Sequence, residues 1–191
     1  MYLFLNTVSS ASYICLFDEN REVLFEKYFH ILGSESSKLM SITKDFLKST
    51  SYGYEDIQNI VTVVWPGSFT GIRTTVLYVN TLAYIFPQLF LTPLSFFDLY
   101  KNFPIAKASS KRDLFVQKEK SAIIEILPVW DFFQYLEVEN ISHIYWDIEG
   151  IVSQKEGICT WDISYQYLLR NVSFQRSKTL SPLYIKKPNI T

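Results

Sequence analysis

The sequence predicts an α/β fold in which mixed sheets are flanked by helices. Three observations carry this expectation: continuous apolar strand runs at the N-terminus, a β-branched run at Ile60-Val61-Thr62-Val63-Val64, and a nearly all-apolar helical stretch beyond the turn that closes that run. With 48% apolar and 17% aromatic residues, the 191-residue chain has ample material for a core, in one ordinary domain or two small ones.

Tyr2-Leu3-Phe4-Leu5 and Tyr13-Ile14-Cys15-Leu16-Phe17 read as strands covered on both faces. Asp18-Glu19-Asn20-Arg21 is a polar turn, and Val23 to Phe29 makes the return strand, so the opening is a meander. A helix follows, capped by Ser34 or Ser36 and ending at Lys48. Leu39, Ile42 and Phe46 form one apolar row on it, with Met40 and Leu47 in a second. Beyond Trp65 a helix is expected from near Thr70 to before Pro87. Ile72, Val76, Val79 and Ala83 lie on one of its faces, Leu77 with Tyr84 on another, and Tyr78, Leu82 and Ile85 on a third. Strand, strand, strand, helix, strand, helix is the order of a ribonuclease H-like unit.

The second half is expected to hold strands at Leu89-Phe90-Leu91, Leu114 to Gln117, Ala122 to Ile126 and His143 to Trp146. Helices are expected at Ser95 to Lys101, Trp130 to Tyr135 and Ser164 to Leu169. A degenerate second copy of the unit fits this order, dividing the chain into residues 1–101 and 102–191.

Bulk properties exclude several function classes. A formal net charge of −1 gives no global attraction to nucleic acid or anionic lipid. Local asymmetry exists, because residues 163–191 carry no acid while Arg170, Arg176, Lys178, Lys186 and Lys187 supply five positive charges. That tail is a candidate tRNA contact or simply a solvated basic terminus. Cys15 and Cys159 form no C-x-x-C pair, which suggests a reducing, cytoplasmic setting. Residues 74–97 lack charge, but Pro87 breaks the run after about four helical turns, so no membrane-spanning helix is expected.

Pro66-Gly67-Ser68-Phe69-Thr70-Gly71 is a strand-to-helix turn with glycines for close approach and Ser68 or Thr70 as a cap. Its free amides make it a potential anion site, yet it lacks the spacing and lysine of a P-loop and is no G-x-S-x-G elbow. The histidines, His30 and His143, form no metal-binding pair, and a Ser68 nucleophile would need a base and an orienting acid.

The run Pro66-Gly67-Ser68-Phe69-Thr70-Gly71-Ile72-Arg73 resembles the signature of the TsaB (YeaZ) family. Similarity extends to Tyr54-Glu55-Asp56-Ile57, Leu82-Ala83 and Pro93-Leu94-Ser95, and to Ser181-Pro182-Leu183-Tyr184-Ile185-Lys186 at the far end. The resemblance implies an actin-like (ASKHA) fold of two ribonuclease H-like halves, here with a shortened second half. It also implies a non-catalytic role in forming threonylcarbamoyladenosine at position 37 of tRNA. Partners would be a TsaD-like subunit, a TsaE-like ATPase in the assembled complex and, indirectly, tRNA; self-association by the same helices is also implied. The helix residues Leu39, Met40, Ile42, Phe46, Leu47, Val76, Tyr78, Val79 and Leu82 are then the candidates for partner contact.

Departures from the family pattern matter too. Asn6 stands where members carry an aspartate, Trp65 replaces the glycine before P-G-S, and Lys107 replaces the leading acid of the central segment. Bound Mg-ATP is therefore not expected, and no cofactor or metal is assigned. An ASKHA-type ATPase and a divergent homodimer without a modification role are the alternatives.

Overall fold

A computed structural model describes residues 1–9, 12–30, 38–147, 159–160 and 164–182. The chain divides into two compact units. The first comprises Met1–Phe96 with the described part of Leu169–Thr191, and the second is Phe97–Leu168.

The first unit runs β1 (Tyr2–Asn6), β2 (Ser12–Phe17), β3 (Val23–Phe29), α1 (Leu39–Lys48), β4 (Asn59–Trp65), α2 (Phe69–Ile85) and β5 (Phe90–Ser95). Its sheet has the order β3-β2-β1-β4-β5. β1 is antiparallel to β2 and parallel to β4, with Phe4 opposite Cys15 on one side and Val61 on the other. Four of these strands were expected where they lie, for a physical reason. In β2 and β4 every residue is buried, and in β1 all but Tyr2, which is what uninterrupted apolar runs require. β3 is an edge strand, with exposed Glu26 and Lys27 that discourage pairing with another chain.

One face of this sheet meets both helices in a single core, built from Leu3, Leu5, Ile14, Leu16, Ile60 and Val64 of the strands against α1 and α2. Phe174 of the C-terminal segment lies 6.0 Å from Tyr2 and 5.9 Å from Phe17, ring centre to ring centre, on the other face.

The second unit repeats the pattern. β6 (Ile105–Ala108), β7 (Asp113–Gln117), β8 (Glu125–Pro128), α3 (Val129–Val138), β9 (His143–Asp147) and β10 (Cys159–Thr160) precede α4 (Tyr165–Asn171). Read from β8, the order is β8-β7-β6-β9-β10, with β6 antiparallel to β7, β7 antiparallel to β8, and the β6–β9 and β9–β10 pairs parallel. Strand order and sense therefore match the first unit strand for strand. Ala106, Leu114, Val116, Phe132, Phe133, Leu136 and Ile144 make its core. Residues 148–158, between β9 and β10, lie outside the described residues.

Three local expectations need correction. The stretch predicted as a helix at Ser95 to Lys101 is only a 3₁₀ turn at Phe96–Leu99. β6 was not foreseen as a strand, because four residues containing Lys107 carry little strand signal. The strand predicted at Ala122 to Ile126 begins at Glu125 and runs to Pro128.

Residues 169–182 belong with the first unit rather than with a C-terminal half. Leu91 and Ser177 exchange backbone hydrogen bonds of 2.8 Å each way. The Asn80 amide holds Leu180 at both its backbone groups, accepting from Leu180 N at 2.8 Å and donating to Leu180 O at 3.0 Å. This strap covers the β5 edge, which would otherwise present unpaired backbone.

Candidate functional site

The signature turn joins β4 to α2. Ser68 is the N-cap, in extended backbone, and its Oγ accepts from Gly71 N at 3.0 Å, while Ile72 N donates to Ser68 O at 3.0 Å. A short hydroxyl side chain at this point satisfies one of the orphan amides of the first turn. Gly67 has no room for a side chain, since a Cβ there would stand 2.7 Å from Val8 Cγ1 and 2.8 Å from Val8 Cβ. Pro66 is buried, while Ser68, Phe69, Thr70 and Arg73 are exposed, and the Arg73 guanidinium lies 4.3 Å from the Phe69 ring centre.

Asn6 ends β1 beside this turn, fully buried. Its Oδ1 accepts from Val8 N at 3.1 Å and its Nδ2 donates to Ser9 Oγ at 2.8 Å. The carboxamide thus ties its own loop in place, accepting from one backbone amide and donating to one hydroxyl. Thr7 Oγ1 and Thr75 Oγ1, 2.7 Å apart, join that loop to α2. Among the described residues, no group of three or more His, Cys, Asp or Glu side chains is arranged to hold a metal ion. Ser68 Oγ is engaged as a cap, and His143 Nδ1 lies 3.0 Å from Ser142 Oγ.

The helices present a different surface from the one the sequence indicated. Leu39, Phe46, Leu47, Val76, Tyr78, Val79 and Leu82 are all buried in the first unit's core, and Ile42 packs against it. Of the nine candidate partner residues, only Met40 is openly exposed, at 62%. Beyond Phe69 in its first turn, the large apolar residues that α2 turns to solvent are Leu77 at 69%, Tyr84 at 87% and Ile85 at 57%. Thr70, Arg73, Leu77, Thr81 and Tyr84 recur at helical spacing along one exposed stripe. The signal that could have separated the faces was present: Leu77 and Tyr84 share a row with Thr70, Arg73 and Thr81, whereas the row of Ile72, Val76, Val79 and Ala83 has no charge. α1 and α2 both pack into the first unit's core, where the Thr43 hydroxyl donates to Leu39 O at 2.9 Å.

The basic tail is engaged within the first unit. The Lys178 ammonium donates to the carbonyls of Pro87 at 2.8 Å and Leu89 at 3.2 Å, and sits 3.8 Å from the Phe90 ring centre. Arg176 donates to Tyr2 Oη at 3.0 Å, and Arg170 lies 3.7 Å from the Glu22 carboxylate. Lys186 and Lys187 fall outside the described residues. Arg21, left-handed at φ 65°, donates to the carbonyls of Leu169 and Val172, which belong to the first unit as well.

In the second unit, Lys107 on β6 forms an ion pair with Asp147 on β9, both side chains nearly inaccessible. Burial pushes the Lys107 ammonium below its usual range, opposed by the charge of Asp147. No helix among the described residues is long and apolar enough to cross a membrane.

No protein-family model matches the chain, and no curated protein matches its sequence. Solved structures do. YeaZ from Pseudomonas aeruginosa is 19% identical, with a TM-score of 0.55, over 66% of this chain and 66% of that one. The crystal structure of an uncharacterized protein with similarity to peptidase YEAZ from Pseudomonas aeruginosa is 18% identical, with a TM-score of 0.57 and the same coverage of both chains. This chain has the YeaZ fold. The match to each structure spans just under two thirds of its length, and at this identity it shows a shared architecture.

Proposed function

We propose that this YeaZ-like chain is a non-catalytic partner subunit of a tRNA threonylcarbamoyladenosine-forming complex, binding and stabilising a TsaD-like subunit. The observation that carries the reading is the solvent-facing stripe of α2, where Leu77 and Tyr84 are exposed, with Ile85 beside it, on a helix whose opposite face fills the core. Large apolar side chains held in a row on a rigid helix are suited to packing against another helix. The repeated strand order of the two units supports an actin-like (ASKHA) assignment. Asn6 and Ser68 are both engaged in holding the turns beside α2, which favours a positioning role for the signature segment over chemistry there. The TsaE-like ATPase and tRNA would then be met through the assembled complex.

Co-expression with the TsaD-like subunit of the source organism tests this. A stable complex on size exclusion, lost in Leu77→Glu/Tyr84→Glu, is the expected result. If the two subunits never co-elute, the reading fails. A second copy on the same stripe is the competing occupant, and a stable homodimer that the TsaD-like subunit does not displace would favour it.

A further inference from the structure

Residues 176–180 reach the first unit as a separate segment. The whole second unit, Phe97–Leu168, stands between them and β5 in sequence, yet they lie along the β5 edge. Among the described residues that edge offers them a single antiparallel bridge, Leu91 with Ser177, and the reason is local. In an antiparallel ladder the next hydrogen-bonding positions lie two residues away on either side. On one side that residue is Pro93, which has no N–H to give. On the other it is Leu89, whose N–H already donates to Phe86 O at 2.9 Å. The ladder therefore stops at one bridge, and side chains supply the rest of the hold.

Those side chains stand on both sides of the bridge. Arg176 and Lys178, two residues apart and so on one face of an extended segment, both lie over the Phe90 ring, at 5.6 and 3.8 Å from its centre. The Lys178 ammonium also donates to the carbonyls of Pro87 and Leu89, just past the C-terminal end of α2, where the helix dipole favours a cation. Leu180 is buried in the first unit's core, with both its backbone groups held by the Asn80 carboxamide. Main-chain bonds hold any extended segment, whereas the ring, the two carbonyls and the leucine site select its sequence.

We infer that the β5 edge, with Asn80 and Phe90, is a strand-docking site for an extended segment of the pattern basic-x-basic-x-leucine, and that it accepts this segment from a second copy of the chain. The chain's own residues 176–180 are the resident occupant. Their release breaks one bridge and leaves the β3-β2-β1-β4-β5 ladder intact, so exchange of the strap does not require the sheet to open.

Two variants of the intact chain divide the parts between them. Lys178→Glu/Leu180→Ala spoils the strap and leaves the site, and Asn80→Ala/Phe90→Leu spoils the site and leaves the strap. Each should sediment as a folded monomer, and their mixture should form a one-to-one pair. Adding Arg176→Glu to the strap donor should weaken that pair by at least about tenfold. As a second measurement, a wild-type chain cut at a protease site inserted after the exposed Ser173 should keep its tail on size exclusion and exchange it for a labelled peptide of residues 174–182. Folded variants that do not pair on mixing overturn the inference, as does a pair indifferent to Arg176→Glu. A cut chain that loses its fold, or that never exchanges its tail, overturns it as well, because the strap is then a fixed part of the unit.

Discussion

Tyr54 and Tyr78 join hydroxyl to hydroxyl at 2.6 Å, linking the turn before β4 to the middle of α2. Both rings are in or against the core, and the Tyr54 ring also lies 5.5 Å from that of Phe86. This bond explains why a tyrosine occupies an otherwise apolar helix row: its ring fills the core and its hydroxyl finds a partner.

Alkaline pH should unfold the chain earlier than its composition alone suggests. Burial raises the ionisation of Tyr13, Tyr54 and Tyr78 above the usual tyrosine range, with Glu26 adding to the effect at Tyr13. An unfolded tyrosine ionises near pH 10, so the stabilisation is complete below about pH 10 and is lost as pH rises beyond it. The urea midpoint should hold level to pH 9 and then fall. In Tyr54→Phe/Tyr78→Phe the fall should be shallower, with about 1 kcal/mol lost at neutral pH from the missing hydrogen bond.

Exchanging the two faces of α2 separates folding from binding. Leu82→Glu places a charge in the first unit's core and should abolish cooperative unfolding. Leu77→Glu/Tyr84→Glu changes only exposed positions, so the thermal midpoint should stay within about 2 °C while partner binding is lost. Circular dichroism melts of the three proteins check the first half of this prediction. Unfolding of the Leu77→Glu/Tyr84→Glu protein would show that this row is needed for the fold.

How much of this was legible follows from where each signal is strong. β1, β2 and β4 were readable because strands covered on both faces must be apolar throughout, and α2 because Ser68, Gly71 and Pro87 mark its ends. β6 and β10 were not, since strands of four and two residues are defined by their neighbours rather than by their own composition. The orientation of α2 was legible only through Thr70, Arg73 and Thr81, which share the row of the apolar outward residues Leu77 and Tyr84. The engagement of Lys178, read with the basic tail as a candidate tRNA contact or a solvated terminus, was not legible because its partners, the carbonyls of Pro87 and Leu89, belong to a backbone that composition does not reveal.

The buried pair Lys107–Asp147 should respond asymmetrically to substitution. Lys107→Met leaves the Asp147 carboxylate with its counter-charge removed, at a cost of about 3–5 kcal/mol. Replacing both, as Lys107→Met/Asp147→Leu, removes the desolvated charges together and should recover most of that loss. Guanidinium unfolding of the two variants checks the order. A double variant as unstable as the single one would mean that Lys107 and Asp147 each hold other groups in place.

Ser68 and Gly71 offer a test in which the sign of one substitution depends on the other. Ser68→Ala removes the cap accepted from Gly71 N and should cost about 1 kcal/mol. Gly71→Ala in the wild-type chain puts a Cβ 2.7 Å from Ser68 Oγ, so the hydroxyl must leave its bond and the cap is lost again. In the Ser68→Ala background that oxygen is gone, and the nearest remaining atom is the residue-68 Cβ at 4.0 Å. There Gly71→Ala meets open space and gains the helix preference of alanine over glycine, up to about 1 kcal/mol. The same substitution is therefore destabilising or neutral with serine at position 68 and stabilising with alanine there. Four urea titrations close the cycle, and purely additive effects would show that the Ser68 cap does not govern the space at Gly71.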